Sequence, residues 1–352
     1  MAADWPEPRE LGAACRLIVW QYPVPRLTQT ALRGVSRLAD LEWPAAIPAE
    51  EVKKLARRLQ EWRAQRGGAL VLFHADSYPP LLREIAHQPV ALFVEGDVQV
   101  LHAPLVAIVG ARAAAEEYRD WTGHLAGDLA RLGVVVASGM ARGIDAAAHA
   151  GALAAGAKTV AVLGAGTDVC YPPEHVELQR HIAASGCLVS ELPPGTPARA
   201  WHFPSRNRIL AGITSGVVVV QAERRSGALI TARHALAENR EVMAVPGDVL
   251  DPRSRGPHAL LRQGAALVEG ASDVLAALGW LEAGVCGTTA ALAPAHAKLL
   301  AQLDPAATPE VLQARLGWAP EAVQRTLGEL ELMGLVERTP DGRVRRVRQR
   351  AC

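Results

Sequence analysis

Arg206, Asn207 and Arg208 stand together in WHFPSRNRILAG, just behind Trp201 and Phe203. Guanidinium groups present planar forks that match phosphate oxygens, and aromatic faces accept stacked bases. An apolar run, Gly216–Ala222, follows, and then Ser226-Gly227 at the mouth of an expected helix. The first N–H groups of a helix have no internal partner, so a strand that feeds a small, Gly-containing turn into a helix makes an anion site. The same residues also read as a buried strand followed by a solvated basic helix, and residue types alone leave both readings open.

Two further stretches could carry chemistry. VAIVGAR (106–112) reads as an apolar strand ending in Gly110-x-Arg112. The glycine permits a tight turn, and the arginine either points a fork into a crevice or is structural. A dinucleotide fingerprint needs G-x-G-x-x-G and an acidic residue closing the second strand; here the run is GARAAA and the second strand ends Ala137-Ser138-Gly139, which argues against nicotinamide chemistry. SGMARGIDAAAH (138–149) places Asp145 and His149 on one helical face, where they can pair. No third ligand has metal spacing, so a capping Asp satisfied by the His is preferred over a metal or acid–base pair. Gly164-x-Gly166-x-Asp168 after the next strand reads either as a close approach to phosphate or as plain loop geometry. Ser138, Ser190, Ser205 and Ser226 each lack an evident base, and no carboxylate pair or His/Cys cluster emerges. No catalytic set, metal site or cofactor is therefore assigned. Glu191 is the one carboxylate that could serve the alternative, a nucleotide-processing enzyme in the same crevice.

These groups need a scaffold that brings strand ends together. From Leu105 the chain alternates strand and helix: strands at 106–110, 134–139, 159–164, 187–192, 216–222, 241–245 and 266–268, with helices at Glu116–Arg131, Ile144–Ala155, Glu174–Ser185, around Ile209, and at Ile230–Glu238, Leu260–Gln263 and Ser272–Leu278. Short, wholly apolar strands alternating with helices mean an α/β fold, a mostly parallel Rossmann-like sheet covered on both faces. Ligands of such sheets bind beyond the strands' carboxyl ends, where Gly110, Arg112, Ser138, Gly139, Glu191, Ser226 and Gly227 fall. Residues 1–95 read as a helical domain, with helices at Ala13–Trp20, Leu27–Leu32 and Ala49–Gln65 and a stop at Gly67-Gly68. LRGVSRLADL within it resembles small helical modules that touch DNA backbone or is part of a plain cap. Ala69–Phe73 and Leu92–Gly96 read as a connector into the domain spanning 100–280. Residues 281–294 are uncharged apart from Glu282 and read as a linker. Helices at Ala295–Leu303, Pro309–Leu316 and Pro320–Met333, then a hairpin over 335–347, make 295–352 a winged helix. Its expected recognition helix is acidic at Glu321, Glu329 and Glu331, with Gln324 and Arg325, while its wing and tail are basic, so DNA contact, protein contact and a structural role all remain open.

At 352 residues, two or three domains are expected. Lys plus Arg number 37 against 36 acidic residues, so any nucleic-acid binding must come from a local patch. The five cysteines are odd in number and far apart, which fits neither a disulfide framework nor a zinc site. With no signal peptide and no apolar run of membrane length, the expectation is a reduced, cytoplasmic protein without a membrane partner.

The ordered series IVGAR (108–112), SGMARGIDAAAHAGAL (138–153), VAVLGAGTDVCYP (160–172), SELPPG (190–195), HFPSRNRILAG (202–212), SGALITARHA (226–235), VPGD (245–248) and HALLRQGA (258–265) resembles the DNA-processing protein A family, DprA or Smf. The resemblance spans roughly 105 to 275. It implies an extended Rossmann-like domain that binds single-stranded DNA, protects it and loads RecA in natural transformation. It also implies a sterile-alpha-motif-like domain in front and a winged helix behind. Site residues implied are Gly110, Arg112, Ser138, Gly139, Arg199, His202, Phe203, Arg206, Asn207, Arg208, Ser226, Gly227 and Thr231. A homodimer contact is implied near His258–Leu267, and a RecA-facing surface around Arg233 and Leu236. Single-strand-binding protein is a further partner that the resemblance admits. The chain departs from the family pattern in placing Arg199-Ala200-Trp201 before the HFP motif, Pro173 where a lysine is common, and Gln221 where a glutamate is usual.

Overall fold

The computed structural model describes residues 5–21, 47–283, 294–303, 307–332, 336–338 and 343–346. The chain forms two compact units, Met1–Leu278 and Gly279–Cys352. Leu27–Leu32 and the whole of LRGVSRLADL lie outside the described residues, as do 284–293 of the expected linker and the turn of the C-terminal hairpin.

In the first unit nine strands form one sheet: β1 Ala69–Leu72, β2 Ala91–Gly96, β3 Leu105–Val109, β4 Val135–Ser138, β5 Thr159–Val162, β6 Cys187–Ser190, β7 Gly216–Val219, β8 Glu241–Ala244 and β9 Ala266–Leu267. Their order is β1-β2-β6-β5-β4-β3-β7-β8-β9. The run from β6 to β9 is parallel throughout. LVAIV, TVAV and GVVV are buried at every position, as strands covered by helices on both faces must be. The helix Glu116–Arg131 matches the expected bounds, and Ile144–Ala154, Gly227–Ala237 and Ala271–Ala277 match to within a few residues. Two helices are longer than expected: His202–Gly212 takes in the whole HFPSRNR motif, and Arg255–Arg262 replaces a single turn.

The connector expected over 69–96 is sheet. β1 pairs antiparallel with β2, and β2 pairs antiparallel with β6. An antiparallel edge extends a parallel sheet without a crossover helix, so these short apolar runs needed none of the flanking periodicity that marks the other strands. Nor do the amino-terminal helices stand apart. Leu11 and Leu17 of Pro8–Gln21 and Leu55, Leu59 and Trp62 of Ala49–Arg66 belong to the hydrophobic cluster that also holds the sheet residues. The second helix ends at Gly67, at φ 65°, whose N–H bonds the carbonyl of Arg63. Buried Glu95 of β2 ties this helix down, accepting bonds from Trp62 Nε1 at 2.6 Å and Thr167 Oγ1 at 2.8 Å.

In the second unit, a short helix, Trp280–Ala283, is followed by Pro294–Ala301, Pro309–Leu316 and Pro320–Leu332, then by the antiparallel pair β10 Val336–Arg338 and β11 Val344–Arg346. Leu299, Leu312, Val323, Leu327 and Leu330 form its own core. Three helices and a two-stranded ribbon make a winged helix, as expected. Among the described residues no helix is long and apolar enough to cross a membrane.

Candidate nucleic-acid interface

The strand order reverses between β3 and β7: successive strands run one way from β3 to β6 and the other way from β7 to β9. Such a switch point leaves a crevice at the carboxyl ends, because the helices leaving β3 and β7 diverge to opposite faces. Here it is a cavity of about 440 Å³. Gly110 and Arg112 enter it from the loop after β3, and Ser226 and Gly227 from the start of the helix Gly227–Ala237. Phe203, Arg206 and Asn207 enter from the helix that crosses between β6 and β7, with Arg199 just before it. Thr231, one turn into its helix, completes the polar lining and is buried.

The outer layer of the crevice is aromatic and cationic. Exposed Arg112 holds its guanidinium 5.7 Å from the Phe203 ring centroid. The Tyr171 ring lies 5.3 Å from Phe203, tilted by 41°. Beside them Arg199 sits 5.2 Å from the ring of Trp201, which is 58% exposed. Phe203 packs against Gly164, where a Cβ would come within 2.8 Å of the ring. That close approach explains the first glycine of Gly164-x-Gly166. The second half of the motif is loop geometry, with Asp168 Oδ1 accepting a bond from the Gly195 N–H at 2.7 Å. Cation-backed aromatic faces of this kind suit stacked bases with phosphates alongside.

The inner layer is structural. Arg206 is buried, and its Nη1 donates to the carbonyls of Val162 and, at 2.9 Å, Gly139, while Nε donates to Asn207 Oδ1 at 3.2 Å. Burial lowers its pKa to about 10 against the opposing pull of Asp145. A Cβ on Gly139 would stand 2.4 Å from Arg206 Nη2, so only glycine admits the guanidinium. Asn207 Nδ2 in turn donates to the Gly227 carbonyl at 3.2 Å and fixes the helix mouth. The Ser226 hydroxyl caps that helix, accepting from the Ala228 N–H at 3.2 Å.

Asp145 and His149 do not pair. Asp145 Oδ2 accepts the N–H groups of Gly139 at 3.2 Å and Ala141 at 3.4 Å, closing the loop after β4. His149 Nδ1 bonds Thr159 Oγ1 at 2.8 Å. Burial raises the Asp145 pKa, and burial beside Arg206 and His175 pushes His149 down to about 3. One helical face holds both residues, but each is drawn to the nearest strand end and not to the other.

The remaining expected residues fall outside this cavity. Ser138 is buried and donates to the Ile108 carbonyl at 2.6 Å. The His202 ring bonds the Gly164 carbonyl at 3.2 Å and seats the start of its helix. Arg208 turns away: its Nη2 donates to both oxygens of Glu191, at 2.6 and 2.7 Å. Glu191, the carboxylate named for an enzyme, is thus committed and does not line the cavity. Gln221 bridges the Ala115 N–H and Asp251 as an acceptor and donor at once, and Pro173 opens a single 3-10 turn, Pro173–His175. Arg233, Leu236 and Leu267 are exposed, and His258 Nε2 bonds the Gly247 carbonyl. Tyr171 was not among the expected site residues. An aromatic set directly before Pro172 in a loop at a strand end was its signal.

Residues 69–279 match the family described as DNA recombination-mediator protein A, and residues 287–342 match the DprA winged helix domain. The protein Smf of Escherichia coli is 40% identical over 303 residues, covering 83% of this chain and 80% of its own. The solved DNA processing protein A of Streptococcus pneumoniae superposes with a TM-score of 0.59 at 33% identity, over 76% of this chain and 93% of that one. The Helicobacter pylori protein, solved for its single-stranded DNA binding mode, superposes at 0.55 with 26% identity, over 60% of this chain and 95% of that one. Sheet, crevice, winged helix and these matches agree, and the chain belongs to the DprA/Smf family.

Proposed function

We propose that this protein is a cytoplasmic recombination mediator that binds single-stranded DNA in the crevice at the β3/β7 switch point, without sequence preference, and passes it to RecA during transformation. The observation that carries the reading is the outer layer of the crevice: Arg112 over Phe203, flanked by Tyr171, with Arg199 over Trp201. Bases stack on the rings, phosphates meet the arginines, and the capped helix start at Ser226-Gly227 adds N–H donors. Flat aromatic faces do not discriminate among bases, which suits a protein that must coat any incoming strand. Arg206, Asn207, Ser138 and Gly139 hold the crevice open beneath this layer. His258 and Leu267, near the edge strand β9, are where two copies pair in this reading, with Arg233 and Leu236 beside them facing RecA. Single-strand-binding protein is the partner expected to hand over the DNA.

The test is a titration of fluorescent oligo-dT at two salt concentrations, with duplex of the same length as control. Phe203→Ala should weaken single-strand binding by ~1–3 kcal/mol, the worth of one base stack. Arg112→Ala should flatten the dependence of log K on log salt by ~0.7 for the phosphate lost. Equal affinity for duplex, or indifference to both variants, would reject the reading.

A further inference from the structure

We propose that the nucleic-acid track does not end at the crevice but continues past Arg199 into a second hollow against the amino-terminal helices, where Lys54 and Arg58 take phosphates of the same strand. The inference rests on the single-strand reading above and extends it to a part of the molecule which that reading leaves idle. The hollow measures about 390 Å³. Its floor is apolar, from Ile18, Val19 and Leu55, and its rim is basic, from Lys54, Arg58 and Arg199. Arg199 lines both this hollow and the crevice, so one guanidinium serves the end of one and the start of the other. The exposed Trp201 ring on which it lies offers a stacking face at the junction.

The basic side chains of the helix Ala49–Arg66 divide into committed and available ones. Lys53 pairs with Glu50 at 3.1 Å, Arg63 lies 4.6 Å over Trp5, and Arg66 faces Glu95 at 3.5 Å. Among the described residues Lys54 and Arg58 have no carboxylate at ion-pair distance, and both are exposed. Among the described residues Glu51 is the only acidic one on the rim, so the described lining is net positive. The Arg58 guanidinium runs along the loop after β6, 3.7 Å from where a Cβ on Gly195 would stand. The two walls are held in fixed relation. Asp168 pins Gly195, while the Glu95 bonds to Trp62 and Thr167 lock the helix to the sheet. Alternation of ring and cation therefore runs from Phe203 and Arg112, through Trp201 and Arg199, to a basic, nucleotide-sized hollow. This is the pattern of a single-strand track and not of a surface for a folded partner.

The test compares a short oligo-dT of about 6 nucleotides, which the crevice alone accommodates, with one of about 20. On the full chain, Lys54→Ala/Arg58→Ala should leave the short oligomer unchanged and weaken the long one. Its salt slope should fall by ~1.4, two phosphates' worth. Arg57→Ala, on the same helix but off the rim, should move neither, and thermal melting should match the parent for all variants. An unchanged slope for the long oligomer in the double variant, with Arg112→Ala still weakening both lengths, overturns the extended track alone. An equal effect from Arg57→Ala also overturns it, since general charge would then suffice. If neither length binds, or Arg112→Ala affects neither, the crevice reading fails and the extension with it.

Discussion

Arg112 and Arg206 border the same crevice, and their surroundings give them opposite duties. Arg112 is exposed and rests on a ring; Arg206 is buried and spends its donors on the Val162 and Gly139 carbonyls. Arg206→Ala should therefore lower stability by about 3 kcal/mol or more, because it strands two carbonyls and leaves buried Asp145 without its cation. Arg112→Ala should shift stability by less than ~0.5 kcal/mol, as exposed substitutions do. Denaturant melts of the two variants read this directly. His149 adds a pH signature. Its folded pKa of about 3 lies below the unfolded value near 6.5, so the unfolded chain binds more protons in that window. Stability is full above about pH 6.5 and falls as pH drops, by about 2 kcal/mol at pH 5. His149→Gln should flatten this acid limb of the melting profile. The residue types of the site were legible in the sequence, but their division of labour was not. Nothing in RNR states that the first arginine turns inward beneath Gly139 and the second turns to Glu191, because both choices depend on strands far away in the chain.

At the scale of elements, the parallel strands announced themselves as apolar runs, and the loops that carry the site fall where those runs end. The misread elements share one cause. β1 and β2 are antiparallel at one margin of the sheet and lack the strand–helix rhythm of the rest. The HFPSRNR helix has polar residues facing a crevice where a surface helix would show an apolar stripe. The attachment of the amino-terminal helices was invisible for another reason: beside shared apolar packing it runs through a buried carboxylate, Glu95, which a linear reading assigns to a connector. Glu95→Ala should cost about 2–4 kcal/mol, since the Trp62 N–H and Thr167 hydroxyl lose their acceptor in the interior. Hydrogen exchange should rise in the helix Ala49–Arg66 more than in β3 to β5. Equal protection in both would mean that the helix is held by packing alone.

On the scale of the whole molecule, each unit has a core of its own among the described residues, the first around the sheet and the second in the winged helix. A truncation at Leu278 should keep the melting transition of the first unit and, on the proposed function, its affinity for oligo-dT. Loss of binding on truncation would place part of the track in the winged helix. Exposed Gln324 and Arg325 on its third helix would then be the first positions to change.

The placement of the crevice also governs when it comes into being. One lip follows β3 and the other follows β7, and the two strands pair directly although β4, β5 and β6 are laid down between them. A chain emerging from the ribosome can assemble β3 to β6 by local crossovers, but that half-sheet has no second lip. Only the long-range closure of β7 onto β3 creates the concavity, and such closures carry the larger entropic cost and come late. On the proposed function, the nascent protein is therefore blind to its ligand until most of the first unit has been made, so that it cannot seize DNA while still half built.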